Sequence, residues 1–251
     1  MPRIDLYRNV HMGQRARLFA LAVELGAADG ADQAVAEEFA DRALAMTAEL
    51  REHADHEDTH IHPLLRERAP AAADALDAEH IRLDAALAAL DERARAFPKA
   101  GSDARAGSEA QAGSDARAGS EAQAGSDARA EAQHALYLAV NELISAYLAH
   151  LHAEETVAMP ALWAAYGDGD LGAVFGGFQA TRSPEQRLGD LRGMLPALPP
   201  RVRAAIARAT VEALPPTEAG SGLYALSTTL APAQRARLYD DLGAPEAWAA
   251  R

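Results

Sequence analysis

An all-α protein, an up-and-down four-helix bundle with a small C-terminal helical extension, is the fold this sequence predicts, and three observations predict it. Hydrophobic residues make up 49% of the 251 positions, much of this alanine, while aromatics are only 5%, a balance that suits closely packed helices better than a β-rich core. Four long stretches, at roughly 3–27, 32–67, 70–97 and 131–166, space their apolar residues at helical intervals. Helix-breaking residues fall between these stretches, and short proline-bounded segments follow them.

The first stretch closes at "GAADGADQ" and the second at "RAPAAAD", with Pro70 opening the third. Pro98 and Gly101 end the third, and "YGDGDLG" ends the fourth. Between the third and fourth lies an alternation of AGSDAR with AGSEAQ, about residues 99–132. It has no large apolar side chain to offset the entropy of ordering its backbone, so it reads as a disordered insertion. The predicted division is therefore a bundle over 1–170, interrupted by this insertion, and an extension over 171–251. In the extension, "TRSPEQRLGDLRGMLPAL" offers Ser183 as N-cap with Pro184 at the first helical position. "PPRVRAAIARATVEALPP" and "LAPAQRARLYDDLG" supply further short helices, and the tail contains no histidine.

The formal charge of −13 argues against nucleic acid, whose phosphates call for clustered Lys and Arg. With no cysteine, any metal must be held by nitrogen and oxygen. The N-terminal stretch lacks the apolar core of a signal peptide and no run is long enough to cross a bilayer, so a cytoplasmic protein without membrane partners is expected.

One phrase occurs twice: "REHADHEDTHIHPLL" at 51–65 and "AHLHAEETVAMPAL" at 149–162. Each has a histidine, a glutamate four residues on, a second acid directly after, and a proline six beyond the glutamate. Helix positions i and i+4 share a face, so His53 with Glu57, and His150 with Glu154, each offer an imidazole and a carboxylate together. Two such helices give a site for first-row transition metals. His11 on the first stretch and His80 on the third are the remaining candidates. In antiparallel helices rising about 1.5 Å per residue, His80 falls level with both Glu57 and His150, whereas His11 and His53 differ by about 9 Å. His134 and His152 read as surface or hydrogen-bonded core residues. Burying so many acids and imidazoles would be costly without a cation.

Ferritin-like sites use Glu followed by His at i+3 on two helices; Val157 follows Glu154 at that spacing, and Asp5 and Glu24, the acids of the first helix, are remote from His11. Instead, "NVHMGQRAR" with His11, "HADHEDTHIHPLL" with His53 and Glu57, "EHIRLDAAL" with His80 and "HLHAEETVAMPALW" with His150 and Glu154 together resemble the hemerythrin-like, or HHE cation-binding, family over roughly 3–166. The resemblance implies a non-heme di-iron centre, oxo- or hydroxo-bridged, with Glu57 and Glu154 bridging the irons and His11, His53, His80 and His150 as terminal ligands. It implies a small diatomic partner, O2 or NO, in binding, sensing or iron handling. An enzyme consuming peroxide or nitric oxide, and a metal-free helical scaffold, are the alternatives. Hemerythrins proper carry a histidine four residues after the third-helix histidine, where this chain has Asp84; Asp84, His56, His60 or water are the choices for a further ligand.

Overall fold

The computed structural model describes residues 3–101, 115–245 and 248, and these are helical with no strand among them. No helix among the described residues is long and apolar enough to cross a membrane. The chain divides into two compact units, Arg17–Ala165 and Met1–Ala16 with Tyr166–Arg251.

The first unit holds the C-terminal part of α1 (Arg8–Ala27), then α2 (Gln33–His60), α3 (His62–Arg68), α4 (Pro70–Ala96), α5 (Asp115–Ala153), a π-helical turn (Glu154–Ala158) and α6 (Met159–Ala165). Asp32 caps α2 by accepting from the Ala34 N–H at 2.8 Å. Helix α4 packs against both α2 and α5. Leu18, Leu25, Leu50, Leu90, Leu136 and Leu143 lie in the shared core, where rows of leucine and alanine let the helices approach closely.

The two prolines of the repeated phrase act where the physics requires. Pro63 and Pro160 lack an N–H, and their rings crowd the carbonyls four residues back, those of Thr59 and Thr156. In the first copy the helix breaks at Ile61 and restarts as α3, so the predicted single helix over 32–67 is two. In the second copy the helix continues, but through a π turn in which the Met159 N–H reaches the Glu154 carbonyl.

Of the expected insertion at 99–132, residues from Asp115 onward belong to α5, and 102–114 lie outside the described residues. Alanine is the strongest helix former, and adding residues to a helix already fixed by packing avoids the cost of nucleation. Tertiary bonds add to this. Arg129 donates to the Ala31 carbonyl at 3.2 Å and to Gln33 Oε1 at 3.0 Å. Gln133 donates to the carbonyls of Leu25 (2.6 Å) and Ala28 (2.9 Å) and accepts from the Gly30 N–H (3.0 Å), tying the α1–α2 turn to α5. Replacing Gln133 by Ala strands these backbone groups and is expected to cost about 1–3 kcal/mol, lowering the melting temperature by several degrees. A thermal melt with no measurable shift would show that the turn holds without it.

In the second unit the first sixteen residues cluster with the C-terminal helices. Its helices are α7 (Asp168–Thr181), α8 (Pro184–Met194), α9 (Pro200–Glu212), α10 (Ala219–Ser227) and α11 (Pro232–Leu242), of which α8 to α11 pack around Leu195, Leu198, Leu223 and Leu238. Ser183 caps α8 as its sequence predicts, accepting from the Gln186 N–H. Gly13 explains the N-terminal attachment: a Cβ there would stand 2.8 Å from the Met194 Cα, so glycine permits the close approach while Met12 packs on the same core.

Candidate metal centre

The repeated phrase places Glu57 near the end of α2 and Glu154 at the first position of the π turn, both fully inside the protein. His80, at the centre of α4, and His150, one turn before Glu154 on α5, are buried with them. Ligand atoms of Glu57, His80, His150 and Glu154 all lie within 4.8 Å of one another, a group that can hold a metal ion. The two imidazole Nε2 atoms are 3.1 Å apart. His80 Nε2 stands 3.5 Å from Glu57 Oε2, and His150 Nε2 stands 3.3 Å from Glu154 Oε1. His53 Nε2 adds an edge, 2.9 Å from Glu57 Oε1.

The far sides of the rings fix their orientation. His80 Nδ1 lies 2.9 Å from Asp58 Oδ1, and His150 Nδ1 lies 2.9 Å from Glu79 Oε2. An ionised carboxylate only accepts, so each Nδ1 donates, and a neutral ring then presents its Nε2 lone pair inward. Two such lone pairs at 3.1 Å, beside two buried carboxylates, repel unless positive charge sits among them. In the absence of metal that charge is protons. Burial alone would push His80 down, but hydrogen bonding to Glu57 and the charges of Glu57 and Asp58 outweigh it and raise His80 to about 9. His150 is likewise raised, with Glu154 and then Glu57 overcoming its burial. Two imidazole nitrogens and two carboxylates are also a donor set that first-row transition ions favour, so a divalent cation fits where the protons stand.

A cavity of about 400 Å³ leads to this group, with Leu83, Leu87 and Tyr147 among its lining together with Glu57, His80 and His150. Its lining also includes Arg51 and Asp84, which pair at 3.1 Å.

Of the six residues singled out in the sequence, four therefore converge, and His53 adjoins them through Glu57. His11 belongs to the other unit, where it is buried with its ring 5.4 Å from that of Tyr7. Asp84 turns to Arg51 instead and its side chain is 70% exposed, while His56 and His60 join none of the ligand groups found among the described residues. His134 and His152 are exposed, as expected. Asp58 and Glu79 were not anticipated as partners of the histidines, although each is the sequence neighbour of a candidate. Asp58 follows Glu57, about 100° further round the helix, which turns it toward α4. No family model, curated protein or solved structure matches the chain.

Proposed function

We propose that this protein is a hemerythrin-like di-iron protein that binds a small diatomic molecule, O2 or NO. The observation that supports this most is the convergence of both copies of the repeated phrase, with His80 between them, on one buried group of two imidazoles and two carboxylates. The reading takes α1, α2, α4 and α5 as the members of an up-and-down bundle. Bound iron would supply an open coordination position and a source of electrons for such a ligand.

The side chains have separable tasks in this reading. Glu57 and Glu154 would hold the irons through carboxylate oxygens, and His53, His80 and His150 through imidazole nitrogens. The sequence adds His11 to this set. Asp58 and Glu79 hold the Nδ1 protons and so aim the opposite nitrogens inward, an arrangement that also raises ligand basicity. Leu83, Leu87 and Tyr147 line the cavity with mostly apolar surface, which admits a small neutral molecule more readily than an ion.

Elemental analysis of protein prepared without chelator, followed by anaerobic reduction and titration with O2 or NO, tests the proposal. Two irons per chain and a saturable, stoichiometric spectral change are expected. Sustained consumption of peroxide or nitric oxide would instead make the protein an enzyme. Failure to take up iron at all would leave the metal-free scaffold.

A further inference from the structure

One buried histidine lies outside the set of proposed ligands. His62, the first residue of α3, is 1% exposed, and among the described residues its Nε2 has no hydrogen-bond partner. Its polar contacts are made by Nδ1, which stands 3.0 Å from Asp77 Oδ1 and 3.0 Å from Asp58 Oδ1. Ionised carboxylates only accept, so Nδ1 carries the proton and the ring meets both acids as a donor. The face of the same ring lies on that of His80, with centroids 5.1 Å apart and planes 14° from parallel.

Asp58 is the acid that depends on such a donor. Its side chain is 49% exposed, and its Oδ1 is also the atom to which His80 Nδ1 donates, at 2.9 Å. A carboxylate so open to water exchanges a protein partner for solvent at small cost. Asp77 has a donor of its own, because Arg66 reaches its other oxygen. Among the described residues the side-chain partners of Asp58 are the two imidazoles, His62 and His80. A buried ring cannot follow the acid outward, so its N–H keeps Oδ1 beside His80.

We propose that His62 is a positioning residue for His80: it anchors Asp58, and through Asp58 it keeps the proton of His80 on Nδ1 and turns Nε2 into the buried group. An imidazole without its Nδ1 partner is free to rotate or to take the other tautomer, and either change withdraws the lone pair from a metal ion. The contacts from His62 to Asp58 to His80 belong to the metal-free chain. That they serve metal binding rests on the di-iron reading.

Exchange of the His80 Nδ1 proton with water, followed by NMR on isotope-labelled histidine in the full-length, metal-free chain, tests this, because an N–H held in a hydrogen bond exchanges only when that bond opens. Asp58→Ala, at a half-exposed position, gives the rate for a ring without its acceptor. His62→Phe keeps a ring over His80 but has no donor, and exchange about tenfold faster than in the parent is expected, approaching that rate. His62→Asn places an amide N–H where Nδ1 stands and is expected to restore slow exchange, although it gives up the stacked ring. Cobalt(II), counted by equilibrium dialysis with helical content checked by circular dichroism, is expected to bind His62→Phe roughly tenfold more weakly than the parent. Slow exchange retained in His62→Phe, equal cobalt affinity in that variant and the parent, or fast exchange in His62→Asn would each overturn the proposal, the last by assigning the effect to ring packing. If the exchange rates follow the expected order but the parent binds no cobalt, His62 positions His80 and the metal reading alone fails.

Discussion

Glu57→Ala and Glu154→Ala are each expected to purify with almost no iron, whereas His134→Ala and His152→Ala retain the parent's full complement. The contrast follows from position. Glu57 and Glu154 are buried, and each lies within 3.5 Å of an imidazole nitrogen of the group, so under the proposed function truncating either removes oxygens that would hold the metal. The remaining donors keep their places but lose the charge that balances a dication. Removing groups that only orient ligands already costs about 10–100-fold in metal affinity, so loss of a carboxylate at the centre is expected to exceed that. His134 and His152 are exposed and join none of the ligand groups found among the described residues. Equal iron in all four variants would dismiss the assignment; iron lost from the two surface variants as well would point to general unfolding.

Metal-free protein is expected to be more stable at pH 6 than at pH 9.5, the opposite of a fold held by ionised carboxylates alone. The sign follows from the direction of the shifts. His80 is raised from 6.5 to about 9 and His150 is raised too, so the folded state holds these protons more tightly than the unfolded chain does. The resulting stability is complete below about pH 6.5 and is lost as pH climbs through about 9. For His80 alone the effect is on the order of 3 kcal/mol, or roughly 5–10 °C in melting temperature. A metal ion must displace the same protons. Loading near neutral pH should therefore release protons, and apparent affinity should start to fall as pH drops below about 9, well above the value near 6 that unperturbed histidine ligands suggest. Calorimetry in buffers of different ionisation enthalpy counts the protons. A metal-free melting temperature that rises steadily from pH 6 to 9.5 would show that the imidazoles are not protonated together with their glutamates.

Much of this was legible from spacing alone. Helix positions near His53, Glu57, His80, His150 and Glu154 follow from apolar periodicity and from proline and glycine breaks, and counting residues from the turn at 68 places Glu57 and His80 level. Three features were not legible. The start of α5 at Asp115 depends on bonds from Arg129 and Gln133 to a turn a hundred residues away, which no local composition reveals. The grouping of residues 1–16 with the C-terminal helices turns on Gly13 lying against Met194, a fit between surfaces rather than a pattern. The roles of Asp58, His62 and Glu79 depend on how far each helix is rotated about its axis. A shift of one residue is about 100° of rotation, finer than periodicity over an alanine-rich helix can fix.

The π turn at Glu154–Ala158 has a consequence for how this chain can be read and altered. An unbroken α-helix advances about 100° per residue, so Met159, five residues after Glu154, would stand about 140° away from it. Glu154 and Met159 are nevertheless both buried, because the wider turn brings them onto one face. The helix thus has two angular frames joined at this point, and counting forward from His150 assigns inside and outside incorrectly beyond Ala158. Point substitutions on either side keep their frame. A one-residue deletion within the turn would turn it into an ordinary α turn, with both Glu154 and the residues beyond the turn keeping their burial.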